Sequence, residues 1–278
     1  MIKTAMQLKA KVRNLSGGDS KKAQSLIRNY IMERFLERIA LSKYRNNFIL
    51  KGGMLVAAVV GLNTRATMDI DTTVKAINLS KENAIKIIEE IIAVDIPDGV
   101  SFKITKVMDI MEGHDYSGIR FLLEATQDKL RQAIKIDIST GDIITPGAVE
   151  YSYDLMFEDR AISLWTYNLE TLLAEKIETI MARGTANTRM RDYYDIYVIS
   201  NHETLNDAVL KNAFFATSKK RNTAMQISNL RGIISDVESD EQMRKQWNSF
   251  REDSFFVGEL TWEEVMDSVK MLVEKVVE

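Results

Sequence analysis

Apolar residues recur along this chain with two periods, and the places where the period changes mark out its elements. Ala23, Leu26, Ile27, Tyr30, Ile31, Phe35 and Ile39 fall three and four apart, the spacing of one helix face. Ser20 is read as the cap of that helix, and Lys21, Arg28, Arg34 and Arg38 as its solvent side. Before it, Met6, Leu8 and Val12 alternate with lysines over residues 3 to 14, a short helix that ends at Leu15-Ser16-Gly17-Gly18. Ala84, Ile85, Ile87, Ile88, Ile91 and Ile92 make Ser80 to Val94 an amphipathic helix, stopped by Pro97-Asp98-Gly99. Shorter stretches read as strands: Phe48 to Leu50, Met68 to Val74, Ser101 to Val107, Gly118 to Glu124 and Ala133 to Ser139. From Asn168 onward the pattern is helical, with Gly184 closing the first helix. The expected fold is α+β and bilobed. A mixed-sheet domain with basic N-terminal helices covers residues 1–165, and an all-helical domain over 166–278 completes the cleft.

The alternation also places chemistry. In a strand from Met68 to Val74, Asp69 and Asp71 share one face while Met68 and Ile70 point into the core. Two carboxylates forced together are unfavourable unless a cation or proton lies between them, and a hard ion with oxygen ligands, such as Mg²⁺, suits them. A strand edge facing water is the structural alternative. Asp137, between Ile136 and Ile138, falls on the polar face of a later strand, as a third carboxylate would. Gly52-Gly53 opens the apolar run Met54 to Leu62, where backbone N–H groups at a helix start can approach a phosphate. In the first C-terminal helix Lys176 lies beside the buried stripe, with Arg183 seven residues on and on the same side. This pair suits a triphosphate or a polynucleotide backbone. It equally suits salt bridges to Asp192 and Asp195, three apart on the next helix, and both roles can hold at once. Tyr193, Tyr194 and Tyr197 read as core.

Composition narrows the chemistry further. The chain has no cysteine, which excludes disulfides and thiolate ligands, and its two histidines, His114 and His202, argue against a zinc site. Any metal is held by oxygen. The longest apolar run is far too short to span a bilayer, and the N-terminus lacks a signal-like segment, so a cytoplasmic protein without membrane contact is expected. Net charge is −3, yet residues 1–50 carry eleven Lys and Arg against three Asp and Glu. That stretch is +8 and the remainder −11, which points to an anionic partner for the N-terminal part or to a solvated basic helix face.

Gly-Gly, then Asp69-Ile70-Asp71, then a later strand aspartate is similar to the active-site layout of polymerase-β-like nucleotidyltransferases. Lys176 to Arg183 resembles the K-[LI]-x-[AT]-x-x-x-R motif of the AbiEii/AbiGii nucleotidyltransferase toxins, and Arg189 to Asp195 their R-x-[KR]-D-x-x-D motif. Arg131 stands where that family has a lysine before its D-I pair, here Asp137-Ile138; Gly53 and Thr67 stand near positions where the wider superfamily has serines. The resemblance implies the toxin of a bacterial toxin–antitoxin or abortive-infection (phage defence) pair, transferring NMP from an NTP with Mg²⁺, two ions being expected. It implies Asp69, Asp71 and Asp137 as metal ligands, and these with Lys176 and Asp192 as catalytic residues. Gly52, Gly53, Arg65, Thr67, Lys176, Arg183 and Asp195 would bind nucleotide. The acceptor implied is RNA, transfer RNA foremost, and the partner is a co-encoded antitoxin that need not touch the toxin. Transfer to a protein hydroxyl and a non-catalytic nucleotide-binding module are the alternatives.

Overall fold

A computed structural model of the chain describes residues 1–112 and 116–277, so His114 lies outside the described residues. Helix α1 (Ala5–Ser16) starts at a capping box in which the Thr4 hydroxyl accepts from the Gln7 backbone and the Gln7 side chain accepts from the Thr4 backbone. Helix α2 (Ser20–Leu41) is capped one residue earlier than expected. Asp19 keeps an extended backbone and its carboxylate accepts from Lys22 N at 3.0 Å, leaving Ser20 as the first helical residue.

The second half of α2 corrects the sequence reading more deeply. Arg34 and Arg38, expected in solvent, are 0% and 3% exposed, and Asn29, Glu33 and Glu37 are buried with them. Ion pairing makes this possible. Arg38 forks onto Asp98 at 2.8 and 3.2 Å and donates to the Val100 carbonyl at 2.7 Å. Arg34 lies 2.9 Å from Glu37 and 3.1 Å from Glu158, and Arg160 reaches the same two carboxylates at 2.5 Å each.

Among the described residues seven strands form one sheet: β1 (Phe48–Lys51), β2 (Asp69–Val74), β3 (Ser101–Glu112), β4 (Tyr116–Gln127), β5 (Leu130–Thr140), β6 (Val149–Asp154) and β7 (Ala161–Thr166). Their order is β3-β4-β5-β2-β1-β7-β6. Pairings β2–β5 and β1–β7 are parallel and the rest antiparallel, so the sheet is mixed. Strands β6 and β7 are not anticipated by the sequence reading; in β6 Tyr153 alone is buried, too little alternation to mark a strand. Met68 is also corrected: it precedes the strand and is 49% exposed, whereas Ile70 is fully buried. Helix α3 (Gly52–Val60) follows β1, and α4 (Lys81–Ile92) is capped by the Ser80 hydroxyl.

The chain divides into two compact units. The first comprises Met1–Leu62, Ala66–Asp142 and Val149–Thr166; the second comprises Asn63–Arg65, Ile143–Ala148 and Tyr167–Glu278. The first is built on the sheet, with Phe121, Leu123, Ile136 and Ile88 in its core. The second holds α5 (Leu169–Arg183), α6 (Met190–His202), α7 (Asp207–Lys220), α8 (Leu230–Ser239), α9 (Glu241–Asp253) and α10 (Trp262–Val277). Its aromatic centre packs Trp262 in tilted contact with Tyr193 at 5.3 Å and Trp247 at 6.0 Å between ring centroids, and buries Tyr194 as well. No helix among the described residues is long and apolar enough to cross a membrane.

Candidate active site

Two parallel strands in register assemble the acidic site. Along β2 the buried Ile70 and Thr72 alternate with half-buried Asp69 and Asp71, so the carboxylates share the face away from that core. Strand β5 lies beside it with Lys135 opposite Asp69 and Asp137 opposite Asp71. One carboxylate oxygen from each of Asp69, Asp71 and Asp137 falls within 4.8 Å of the others. A single small oxygen-liganded cation can reach all three.

The next strands extend the row. Arg120 of β4 stands opposite Asp137, and Lys51 of β1 opposite Asp71. Arg120 donates to both oxygens of Asp137, Nε to Oδ1 at 2.7 Å and Nη2 to Oδ2 at 2.6 Å. Those hydrogen bonds, outweighing partial burial and helped by the charges of Asp137, Asp69 and Asp71, raise the Arg120 pKa. Lys135 Nζ lies 2.5 Å from Asp69 Oδ2. Three carboxylates and two protein cations leave the cluster with a net charge of −1. Lys51 Nζ donates to Asp142 at 2.7 Å, and Ser139 Oγ donates to the same carboxylate at 2.8 Å.

Gly52 begins α3 against this cluster. Its φ is +66°, and a Cβ there would stand 2.7 Å from Asp71 Cγ and nearer still to Oδ2, so only glycine admits the Asp71 carboxylate at the helix start. Gly53 is buried behind it. Thr67 is buried too, its hydroxyl donating to the Asp69 carbonyl at 3.2 Å just before β2.

The other expected residues meet in the helical unit. Lys176 Nζ donates to Asp192 Oδ1 and Asp195 Oδ2, each at 2.8 Å. Arg65 holds Asp195 from the other side, Nε to Oδ1 at 2.5 Å and Nη2 to Oδ2 at 3.2 Å, and Arg189 Nε lies 2.7 Å from Asp192 Oδ2. Burial alone would raise the Asp195 pKa, but the charges of Arg65 and Lys176 bring it down to about 2. Burial would likewise lower the Lys176 pKa, yet the two aspartates raise it. Of the two roles left open for Lys176, the salt bridges are formed. Arg183, by contrast, is exposed on the last turn of α5 and makes no ion pair among the described residues.

Arg131 needs correction. It opens β5 opposite Thr126, exposed, with Glu124 at 4.0 Å. It stands six residues before Asp137 along the strand, a span of about 20 Å. The basic residue before Asp137-Ile138 that reaches the acidic cluster is Lys135, two positions back and therefore on the same face. That signal was present in the alternation. Arg120 carried one as well, being the charged residue between Ile119 and Phe121 within an apolar strand, but its partner depends on the β4–β5 register.

Comparison with known proteins gives a consistent result. A sequence model of the family described as nucleotidyl transferase AbiEii toxin, type IV toxin–antitoxin system, matches residues 34–268. In structure the chain is similar to JHP933 from Helicobacter pylori, with 15% identity over 91% of this chain and 92% of that one and a TM-score of 0.54. A candidate nucleotidyltransferase from H. pylori is similar at 16% identity over 91% of this chain and 95% of that one, also with a TM-score of 0.54. At such identities the likeness shows the fold. No curated protein matches.

Proposed function

This chain belongs to the AbiEii nucleotidyl transferase toxins of type IV toxin–antitoxin systems, and from that membership we propose that it moves a nucleoside monophosphate from a nucleoside triphosphate to an RNA hydroxyl with the help of Mg²⁺. The observation that carries the reading is the convergence of Asp69, Asp71 and Asp137 oxygens within 4.8 Å on adjacent parallel strands. The donor set fits the ion, being all oxygen in a chain without cysteine. When bound, a divalent ion offsets charge on the α-phosphate and on the departing pyrophosphate.

The protein's own share is positioning. The acceptor oxygen bonds to the α-phosphorus as the bond to pyrophosphate breaks, releasing pyrophosphate and a proton. Strand β2, paired on both sides, keeps Asp69 and Asp71 at fixed spacing, and Arg120 fixes the plane of the Asp137 carboxylate. Gly52 lets the α3 start lie directly against the Asp71 carboxylate, where Gly53 and the helix's backbone N–H groups would meet a phosphate brought by the ion, with Thr67 supporting the turn into Asp69. Among the helical-unit residues that the resemblance implies, Arg183 is the exposed cation suited to phosphate. Lys176 and Arg65 are buried and already engaged with Asp192 and Asp195.

Exposed cations support RNA as the acceptor. Lys3, Lys9, Lys11, Arg13 and Lys21 all face solvent on α1 or beside it. Farther along α2, the Arg28 guanidinium lies 2.9 Å from the sulfur of Met68, the residue before Asp69. Transfer RNA is the acceptor that the resemblance implies, the co-encoded antitoxin is the partner, and the cytoplasm, where triphosphates and RNA meet, is the place. The test is to incubate the protein with Mg²⁺, a cell extract and each α-labelled ribonucleoside triphosphate, beside Asp69→Ala. Label in small RNA, removed by ribonuclease and absent with the variant, is the expected result. Label removed only by protease would overturn the RNA acceptor.

A further inference from the structure

The two protein cations in the acidic cluster are held in different ways, and the difference separates their roles. Arg120 grips Asp137 through two hydrogen bonds in a planar fork, a geometry that resists displacement. Lys135 meets Asp69 through one ammonium contact at 2.5 Å, with side chains 31% and 21% exposed. Its flexible stem lets the ammonium leave that contact for solvent at small cost.

We propose that Lys135 is an exchangeable counter-ion of the site: it competes with a divalent cation for Asp69 and, once displaced, pairs with the triphosphate that the cation brings. Arg120 is the fixed counterpart, a positioning residue that stays on Asp137. This rests on the metal-dependent reading of the three aspartates given above. An ammonium 2.5 Å from Asp69 Oδ2 and a dication sharing that carboxylate repel each other, so the ion enters as the lysine moves away. Lys135 stands on β5 two residues from Asp137, so its head group stays on the site's own face after it moves. The anion then nearest to it is nucleotide phosphate. Removing the Lys135 charge should therefore strengthen metal binding, which a general structural role would not produce.

The test uses the full chain and Mn²⁺, with binding measured by titration calorimetry and by loss of the free-ion electron paramagnetic resonance signal. Wild type, Lys135→Met, Lys135→Gln and Asp69→Asn are compared, each first checked for a native circular dichroism spectrum. Two lysine variants are included so that one failing to fold leaves the other. Without nucleotide, Lys135→Met or Lys135→Gln is expected to bind Mn²⁺ roughly three- to tenfold more tightly, the scale of a partly exposed ion pair. With Mn²⁺ present, the lysine variants should bind non-hydrolysable α,β-methylene triphosphates several-fold more weakly than wild type. Unchanged or weaker Mn²⁺ binding in the lysine variants, with Asp69→Asn losing it, would overturn the role of Lys135 alone. Equal Mn²⁺ binding by wild type and Asp69→Asn would overturn the metal reading and this inference together.

Discussion

At Gly52 the backbone turns through φ +66° directly beneath the Asp71 carboxylate, and no side chain fits there. Gly52→Ala is expected to cost about 1 kcal/mol or more of stability through the positive φ alone. It should also push Asp71 aside, lowering the transfer rate at least tenfold, a loss that single-turnover kinetics would measure against thermal melting. A second residue-scale expectation concerns Lys176. Removing it as Lys176→Met leaves Asp192 without one buried partner and Asp195 with Arg65 only, and should destabilise the fold by roughly 3–5 kcal/mol in a denaturant titration. The pH window follows from the shifts. Asp195, depressed to about 2, contributes fully above its ordinary value and loses that contribution as pH falls toward 2; Lys176, raised, contributes fully below its ordinary value and loses it only as pH climbs through the raised one. Between them the cluster should hold near neutrality. Asp69 and Asp71 were legible because strand geometry puts i and i+2 on one face, and Asp137 because it alternates with Ile136 and Ile138. Lys135 and Arg120 were not assigned because their partners are fixed by how β5 lies on β2 and β4, which a single strand's pattern does not contain.

Helix α2 shows the same limit for an element. Its helical nature was legible from three- and four-residue spacing, but its surroundings were not. Arg34 and Arg38 look like a solvent face until the turn between β6 and β7 supplies Glu158 to Arg34 and the segment before β3 supplies Asp98 to Arg38. Burial there has a measurable consequence at Glu33. Burial raises its pKa to about 8, against the pull of the Met156 backbone N–H, the Arg34 charge and the Asn29 amide. A carboxyl group whose folded pKa lies above its unfolded value favours folding at low pH and gives up stability as pH rises from its unfolded range toward 8. Glu33→Gln is therefore expected to be more stable than wild type at pH 8, on the order of 1–3 kcal/mol, with the gain shrinking toward pH 5. Urea titrations at the two pH values would check this, and an equal difference at both would contradict the assignment.

For the whole molecule, the uneven charge of the sequence resolves into two populations. Part of the N-terminal excess is internal, Arg34 and Arg38 being neutralised within the core. The rest is displayed, with Lys9, Lys11 and Arg13 exposed along α1. Changing these three to Gln should leave stability nearly unchanged while lowering RNA affinity. The log–log salt slope of RNA binding should fall by about 2 for single-stranded RNA. An unchanged slope would remove α1 from the RNA surface. At this scale the sequence was read well where its pattern is long, in the mixed sheet and the helical C-terminal part, and poorly over residues 149–166, where two six-residue strands carry little periodicity. The central claim is that Asp69, Asp71 and Asp137 together make this chain a nucleotidyltransferase. The most direct measurement is single-turnover transfer of α-labelled nucleotide by wild type beside Asp69→Asn, Asp71→Asn and Asp137→Asn, all with native circular dichroism. A rate loss on the order of a thousandfold or more in each variant is expected, since each removes a charge from the cation site; transfer at the wild-type rate by any correctly folded one of the three would contradict the account.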